Sequence, residues 1–186
     1  NKIYQGEDLL NYFESVNSFT VFEERVSYAN GLFCAVFKTK NEIFAAVDPY
    51  RSFPLYYLRY QGKWMITDDP WYLSSHTGTS NVNLLSESEF LATGYVTNDK
   101  TLIEGIRQIQ AGECIHFKEE NIQKKFYFSY RVNNPLDDDY DILLTKTSEI
   151  FFNSFQRFIR SLNGKKVVLP LSGGYDSRLI AVMLKH

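Results

Sequence analysis

The residues best suited to chemistry form a short loop of glycine and hydroxyl side chains near the end of the 186-residue chain. Its sequence is Ser172-Gly173-Gly174-Tyr175-Asp176-Ser177. Glycines allow a positive φ and let the backbone approach a ligand closely, and serine hydroxyls donate hydrogen bonds. A helix predicted over Arg178 to Lys185 would add the positive end of its dipole to the same point. The combination predicts a binding site for an anionic phosphate group.

Asp176 is the acidic member of this loop. A carboxylate beside phosphate oxygens repels them unless a Mg²⁺ ion lies between the two, so Asp176 predicts a metal-bound nucleotide. The Walker pattern is absent because no lysine follows Gly174 at the required place, and the G-x-G-x-x-G and G-x-S-x-G patterns fail as well. The alternative is a plain strand-to-helix turn that Asp176 or Ser177 caps.

The elements on either side must hold the loop in place. The apolar run from Lys165 to Leu171 is typical of a strand buried on both faces of a parallel sheet. Before it, apolar residues recur at helical spacing from Tyr140 to Leu162, and Asn163-Gly164 predicts the end of that helix. The polar, proline-bearing segment from Val132 to Leu136 predicts a domain boundary.

Upstream of that boundary the sequence favours antiparallel sheet, because the chain's 15 Phe, 13 Tyr and 2 Trp pack well on a pleated surface. Turn formers separate four predicted strands, which we expect to form a meander: Leu32 to Phe37, Ile43 to Val47, Leu55 to Tyr60 and Trp64 to Thr67. Helices are predicted from Pro70 and from Ser86, where Glu89 completes a capping box before a stop at Gly94. A last hairpin is predicted to join Cys114 to Phe117 with Ile122 to Phe128.

Three motifs in this half occur in a characteristic order. They are Gly31-Leu32-Phe33-Cys34-Ala35, Asp48-Pro49-Tyr50-Arg51-Ser52-Phe53-Pro54-Leu55-Tyr56-Tyr57 and Ile66-Thr67-Asp68-Asp69. The order resembles the N-terminal half of the asparagine synthetase family, whose pattern runs G-x-F-A, R-D-x-x-G-x-x-P-L-Y-Y and F-A-S-E. Three later pieces are similar to that family's TLFEGI…PGH stretch: Gly94-Tyr95, Thr101 to Ile106 and Ala111-Gly112-Glu113. The loop is in turn similar to the pyrophosphate-binding loop of ATP pyrophosphatases, Ser-Gly-Gly-x-Asp-Ser.

The resemblance implies an α+β, N-terminal-nucleophile-like antiparallel β-sandwich followed by the start of an α/β parallel-sheet ATP-pyrophosphatase domain. Residues 1–131 would be a class-II glutamine amidotransferase-like domain lacking its N-terminal part, and residues 132–186 the truncated beginning of an asparagine synthase-type ATP-binding domain. The cofactors implied are ATP and Mg²⁺. Ser172, Gly173, Gly174, Asp176 and Ser177 would hold the pyrophosphate, with Asp176 as the metal ligand.

In that family, ammonia from glutamine attacks a carboxylate, here aspartate or a similar acid, that ATP has activated as an acyl-adenylate. A cysteine at the mature N-terminus would hydrolyse the glutamine, yet residue 1 is Asn, and neither Cys34 nor Cys114 could supply a free-amine nucleophile. The catalytic residues are therefore unknown. Asn1-Lys2-Ile3-Tyr4-Gln5 is similar to the family's N-G-E-I-Y-N stretch, so we expect the chain to begin mid-domain. A nucleotide-binding domain of this type needs several further strands and helices after His186, so we expect an inactive fragment of a longer ligase.

Two alternatives stay open. β-Lactam synthetases and lasso-peptide cyclases resemble this architecture and use an internal amine, so such a ligase would need no glutaminase. In the other alternative the first module is a non-catalytic scaffold or dimerisation surface, which the missing nucleophile motivates.

Charge and hydropathy narrow the expected partners. The chain carries 20 Lys and Arg against 22 Asp and Glu, a net charge of -2, which leaves no basic surplus for nucleic acid. No apolar run approaches the ~20 residues that span a bilayer, and the start has no signal-peptide region, so we expect a cytoplasmic protein without a membrane partner. The expected partners are small molecules, namely ATP, a carboxylate and, for an active amidotransferase, glutamine; a homodimer is a possible assembly.

Other conspicuous side chains have ordinary structural explanations. Core packing is predicted for Cys34, Cys114, Phe151, Phe155 and Phe158. A helix-dipole role is predicted for three acids that alternate like calcium ligands but lack the loop's glycine and glutamate: Asp137, Asp139 and Asp141. A turn and helix cap before Pro70 is predicted for Asp68-Asp69. Three histidines lie too far apart in sequence to favour a ligand cluster: His76, His116 and His186.

Overall fold

A computed structural model describes residues 7–132 and 134–185, so Asn1 to Gln5 and His186, on which two of the expectations above fall, lie outside the described residues. The chain divides into two compact units, with the division between Arg131 and Val132. What the two units are, an amidotransferase-like domain and an ATP-binding one, stays a prediction. Among the described residues no helix is both long and apolar enough to cross a membrane.

The first unit combines short helices with two antiparallel sheets. Its elements are α1 Glu7–Phe13, α2 Phe19–Tyr28, β1 Cys34–Lys38, β2 Ile43–Val47, β3 Tyr56–Tyr60, β4 Lys63–Thr67, α3 Pro70–Thr77, α4 Leu84–Thr93, β5 Arg107–Gln108, β6 Glu113–Phe117 and β7 Ile122–Phe126. A four-stranded sheet has the order β1-β2-β6-β7, and a three-stranded sheet has the order β4-β3-β5. All of these strand pairs are antiparallel. The α+β class with antiparallel sheets is therefore confirmed.

Strand β2 is apolar on both faces because it lies between two layers. Phe44 and Ala46 face α2, where Phe22 and Val26 are fully buried. Ala45 and Val47 point the other way, into the space between the two sheets. A buried side chain of this size contributes about 2 kcal/mol relative to an exposed one. The continuous apolar run is thus explained by burial on both sides of the sheet.

The space between the sheets holds the main core of this unit. Residues from both sheets and their connections fill it: Ala45, Val47, Leu55, Tyr57, Ile109, Ile115 and Phe117. On the far face of the three-stranded sheet, Leu73 of α3 packs against Leu58 and Ile106. The layers therefore follow the order helix, sheet, sheet, helix.

The predicted meander is wrong at its centre. Strands β1 and β2 form one hairpin and β3 and β4 another, but the two hairpins belong to different sheets. The segment from Asp48 to Leu55 carries the chain across the sandwich instead of reversing it. Asp48 is fully buried and its carboxylate accepts hydrogen bonds from the backbone N–H groups of Phe33, Tyr50 and Ser52 at 3.2, 2.8 and 3.0 Å. These bonds fix the crossing.

Two of the three helix ends predicted for the first unit are correct. Helix α3 begins at Pro70, and the Asp69 carboxylate accepts from the N–H of Trp71 at 2.9 Å, so the capping role is confirmed. Helix α4 ends before Gly94, which has a φ of 82°. Its predicted start at Ser86 is wrong, because Asn83 accepts from the N–H of Ser86 at 3.1 Å and the helix begins at Leu84.

The second unit contains two helices in its described part, α5 Tyr140–Leu162 and α6 Tyr175–Lys185. The predicted end of α5 is confirmed, since Asn163 adopts the left-handed conformation directly after Leu162. The predicted strand from Lys165 to Leu171 does not form, because no other described strand pairs with it. Helix α6 begins three residues earlier than expected.

The predicted core role of the phenylalanines on α5 is wrong for the described residues. Phe151 and Phe158 are 39% and 43% exposed, and α5 has no buried residue. The prediction assumed that an amphipathic face finds a partner. In the described part of the second unit, no residue packs over the apolar face of α5 closely enough to bury it.

Candidate functional site

The loop predicted to bind phosphate takes a left-handed turn directly before α6. Gly173 has a φ of 78°, a conformation that side-chain-bearing residues rarely adopt. A Cβ placed on Gly173 would meet nothing within 4 Å, so the space beside this residue is open. The turn therefore leaves room next to the backbone at the N-terminal end of the helix.

Two serines close this turn through a ring of hydrogen bonds. The N–H of Gly174 donates to Ser172 Oγ at 3.5 Å, and the two hydroxyl oxygens lie 3.3 Å apart. Ser177 Oγ donates to the carbonyl of Gly174 at 3.2 Å. Since Ser177 uses its proton in that bond, Ser172 is the donor to Ser177. The ring holds the glycine turn against the first turn of α6.

Asp176 lies in the first turn of α6, with an exposed side chain. The described residues contain no group of three His, Cys, Asp or Glu side chains that could hold a metal by themselves. A single carboxylate still suits Mg²⁺, which protein sites often bind through one or two carboxylates together with phosphate oxygens. The N–H groups of the first helical turn have no partner within the helix and can receive those oxygens. The residues present therefore fit a Mg²⁺-bound phosphate.

The structure brings together the loop residues that the sequence analysis selected: Ser172, Gly173, Gly174, Asp176 and Ser177. They differ in exposure, since Ser177 is buried and Asp176 is open to solvent. The strand expected to position them is absent, so the ring and α6 supply the local order. Whether they bind ATP or Mg²⁺ stays a prediction.

Neither cysteine has the environment of an activated nucleophile. Cys114 is fully buried in β6, and burial followed by the nearby Glu23 raises the pKa of its thiol to about 12. Cys34 is exposed at the start of β1, which corrects its predicted core position. Partial burial and then the charge of Asp68 raise the pKa of the Cys34 thiol. Both thiols are therefore protonated near neutral pH.

An ionic cluster at the β7 edge of the sandwich was missed by the sequence analysis. Lys124 Nζ lies 2.5 Å from Asp99 Oδ2, and Arg107 Nη1 lies 3.0 Å from Asp99 Oδ1. Partial burial acts against the Asp99 charge, but Lys124 and Arg107 outweigh it and lower the pKa of Asp99. The sequence offered one signal, because strand alternation places Lys124 on the same face as Ile122.

Two buried polar groups lie close to this cluster. The Tyr57 hydroxyl is buried, and Lys124 Nζ lies 5.5 Å from the centre of the Tyr57 ring. Glu113 is 1% exposed and accepts from the N–H of Gln110 at 2.8 Å. Burial raises the pKa of Glu113. Through Tyr57 the cluster borders the core between the two sheets.

No protein-family model matches the chain, and no curated protein matches its sequence. Among solved structures, the chain is similar to the glutamine phosphoribosylpyrophosphate (PRPP) amidotransferase from B. subtilis complexed with ADP and GMP, at 16% identity and a TM-score of 0.40 over 71% of this chain and 25% of that chain. A structure described as the allosteric regulatory enzyme of purine biosynthesis gives the same identity, TM-score and coverage of this chain, and 24% of its own length is covered. The chain thus spans about a quarter of each. At this TM-score the likeness carries no conclusion about fold or function.

Proposed function

We propose that the protein is part of an ATP-dependent, AMP-forming amide ligase of the asparagine synthetase type. The ligase would activate a carboxylate, aspartate or a similar acid, as an acyl-adenylate, and ammonia from glutamine would then form the amide. The ordered motifs of the first unit and the serine-glycine loop of the second support this proposal together.

The observation that carries the proposal is the closed turn at Ser172 to Ser177. Its hydrogen-bonded ring holds Gly173 at a φ of 78°, where the backbone is open to a ligand. First-turn N–H groups of α6 and the helix dipole favour an anion at the same place. A plain strand-to-helix turn needs only one capping side chain. Here the hydroxyls of both serines form hydrogen bonds within the turn, and the Asp176 side chain is exposed to solvent.

The chemistry explains why such a loop would be needed. A carboxylate has a poor oxide leaving group, and transfer of AMP to it provides a better one. Charge then develops on pyrophosphate, which Mg²⁺ would neutralise while the loop N–H groups bind its oxygens. In this chain Asp176 would orient the metal, and Ser172 and Ser177 would keep the turn closed.

The layer order of the first unit supports an amidotransferase-like domain of the N-terminal-nucleophile type, with two antiparallel sheets packed face to face between helices. A second candidate function rests on the cysteines. Because neither Cys34 nor Cys114 is an activated nucleophile, the unit could instead be a scaffold in a ligase that uses another amine, as in β-lactam synthetases and lasso-peptide cyclases.

Calorimetric titration of the protein with ATP in the presence and absence of Mg²⁺ tests the phosphate site. We expect Mg²⁺-dependent binding that weakens about tenfold in Asp176→Asn, because a charge-assisted contact is lost. Asp141→Asn is the matched control, since Asp141 also lies in the first turn of a helix of the same unit and should not affect binding. Equal binding by wild type and Asp176→Asn, or no binding at all, would contradict the proposed site.

Exchange of pyrophosphate into ATP, measured on the native protein at its full cellular length across a set of carboxylic acids, tests the reaction itself. Exchange that depends on aspartate supports the asparagine synthetase type. Exchange with another acid, together with failure to hydrolyse glutamine, supports the cyclase alternative. No exchange with any acid would contradict a ligase and favour the scaffold.

A further inference from the structure

The sequence contains two Asn-Gly dipeptides, Asn30-Gly31 and Asn163-Gly164, and both asparagines are exposed. In such a pair the glycine nitrogen can react with the asparagine side chain, because glycine has no side chain to shield it. The reaction needs rotation of the backbone between the two residues. The two dipeptides differ in how freely this rotation can occur.

Asn30-Gly31 lies in the connection between α2 and β1, where no hydrogen bond holds the backbone. The N–H of Ala29 donates to Val26 O at 3.2 Å, and the next bond along the chain is from the N–H of Phe33 to Asp48 Oδ2 at 3.2 Å. In the described structure, residues 30–32 take part in no hydrogen bond, and all of them are exposed.

Asn163-Gly164 is held on both sides by comparison. The N–H of Asn163 donates to Arg160 O at 3.3 Å, and the N–H of Lys165 donates to Leu162 O at 2.9 Å. Asn163 has φ and ψ of 46° and 46°, and Gly164 a φ of 76°. Rotation about this dipeptide must break the bonds that end α5.

We propose that Asn30 is a site of spontaneous deamidation in the folded protein, whereas Asn163 is protected by its hydrogen bonds. The Gly31 amide nitrogen, after losing its proton to base, attacks Cγ of Asn30. A nitrogen–Cγ bond forms, the Cγ–Nδ2 bond breaks, and ammonia leaves with a proton from water. Water then opens the resulting succinimide at either carbonyl and gives aspartate or isoaspartate, with no change of oxidation state.

The modification would act on the start of β1. Phe33 both donates its N–H to Asp48 Oδ2 and accepts from the N–H of Asp48, at 3.2 and 3.0 Å. Isoaspartate at position 30 lengthens the backbone by one atom three residues before that contact. A new carboxylate also appears three residues before Phe33, whose N–H already binds the Asp48 carboxylate.

Peptide mapping by mass spectrometry during incubation of the folded protein at mildly alkaline pH tests the proposal. The mass change from NH to O and enzymatic detection of isoaspartate identify each product. We expect Asn30 to react about tenfold or more faster than Asn163, because two hydrogen bonds must open at the second site. After denaturation the two rates should become similar, since both dipeptides are then unrestrained. Equal native rates, or faster reaction at Asn163, would overturn the proposal.

Gly31→Ala is the matched control variant. Gly31 has no positive φ, and a Cβ there would meet nothing within 4 Å, so alanine leaves the fold unchanged. Its methyl group shields the attacking nitrogen, and deamidation at Asn30 should slow markedly while the rate at Asn163 stays as in the wild type. Unchanged reaction at Asn30 in this variant would show that the Asn30-Gly31 backbone does not control it.

Discussion

Arg51 Nη1 donates a hydrogen bond to Oε1 of Gln108 at 2.5 Å, and through it the β2–β3 connection is tied to strand β5. Gln108 is itself buried and donates from Nε2 to the carbonyl of Asn98 at 3.1 Å. Arg51 has a φ of 51°, in the left-handed region. Glycine adopts this conformation without the steric cost that a Cβ brings, so the arginine is strained at this position.

The Arg51→Gly variant should be more stable than the Arg51→Ala variant, the reverse of the usual effect of glycine and alanine on stability. Both variants lose the bond to Gln108, but only alanine keeps the left-handed strain, which costs about 1 kcal/mol. We expect Arg51→Ala to be less stable than Arg51→Gly by about that amount in urea unfolding. The same pair at Arg59, within strand β3, should show the ordinary order, with glycine less stable. If Arg51→Ala were as stable as Arg51→Gly, or more stable, the claim that position 51 is strained would be contradicted.

Asp48→Asn should destabilise the first unit strongly. The carboxylate accepts three backbone N–H groups and the hydroxyl of Ser52, and an amide presents N–H groups to some of these donors. We expect a loss of about 3 kcal/mol of unfolding free energy, as for removal of a buried acceptor of charged character. Asp68→Asn, at an exposed position in the same acidic region, should change it by less than about 0.5 kcal/mol.

Gly112→Ala should cost more than a left-handed conformation alone explains. Gly112 has a φ of 68°, and a Cβ there would lie 2.8 Å from the carbonyl oxygen of Phe128. Gly78→Ala is a matched control, since Gly78 has a φ of 69° with nothing within 4 Å. We expect about 1 kcal/mol for the control and at least twice that for Gly112→Ala in chemical unfolding. Equal losses of unfolding free energy in the two variants would show that the backbone at Phe128 moves to accommodate the added Cβ at position 112.

The buried Glu113 should make stability fall as pH rises. Burial raises the pKa of Glu113 above its ordinary value of 4.5, so folding takes up a proton at pH values above 4.5. The stability that this proton provides is complete below that value and is lost as pH rises through the folded-state pKa. Glu113→Gln stays neutral, so its stability relative to wild type should rise over this range in urea titrations at successive pH values. Exposed Glu119→Gln is the control, and the opposite trend at position 113 would contradict burial as the cause.

The two cysteines should differ in their reaction with a thiol reagent. Cys34 is exposed and should be labelled in the folded protein, at a rate that rises through alkaline pH because burial and Asp68 raise its pKa. Cys114 is fully buried, donates to Lys125 O at 3.4 Å, and should react only on unfolding. Mass spectrometry of labelled peptides measures both rates. Labelling of native Cys114 would contradict its place in the core.

Local sequence predicted the strands better than their partners. The run Ile43 to Val47 was correctly assigned as a strand, and the turn formers around it marked its ends. Its second neighbour is β6, which lies some 70 residues later in the chain, and no local pattern identifies such a partner. The prediction therefore connected β2 to β3, the next strand in sequence. The crossing at Asp48 depends on tertiary hydrogen bonds that spacing does not reveal.

At the candidate site, the sequence identified the loop but not what holds it. The residue types predicted the positive φ of Gly173, and the structure adds the hydrogen bonds between Ser172 and Ser177. The strand from Lys165 to Leu171 was predicted from its apolar run, but a strand exists only when others pair with it. The core position predicted for Cys34 was wrong. Cys34 shares a face of edge strand β1 with Lys38, and a lysine at that position indicates an exposed face.

The crossing between the two sheets links their folding. The chain leaves the four-stranded sheet after β2 and builds β3 and β4 in the other sheet. It completes that sheet with β5, and it returns with β6 to pair with β2. The four-stranded sheet cannot assemble from one continuous stretch of chain, because all three strands of the other sheet lie between β2 and β6 in sequence. Loop-closure entropy is therefore spent before its central β2–β6 pairing forms. Amide protons of Ala45 and Tyr57, one in each sheet, should then exchange with solvent through the same global opening, and the sandwich should unfold as a single cooperative unit.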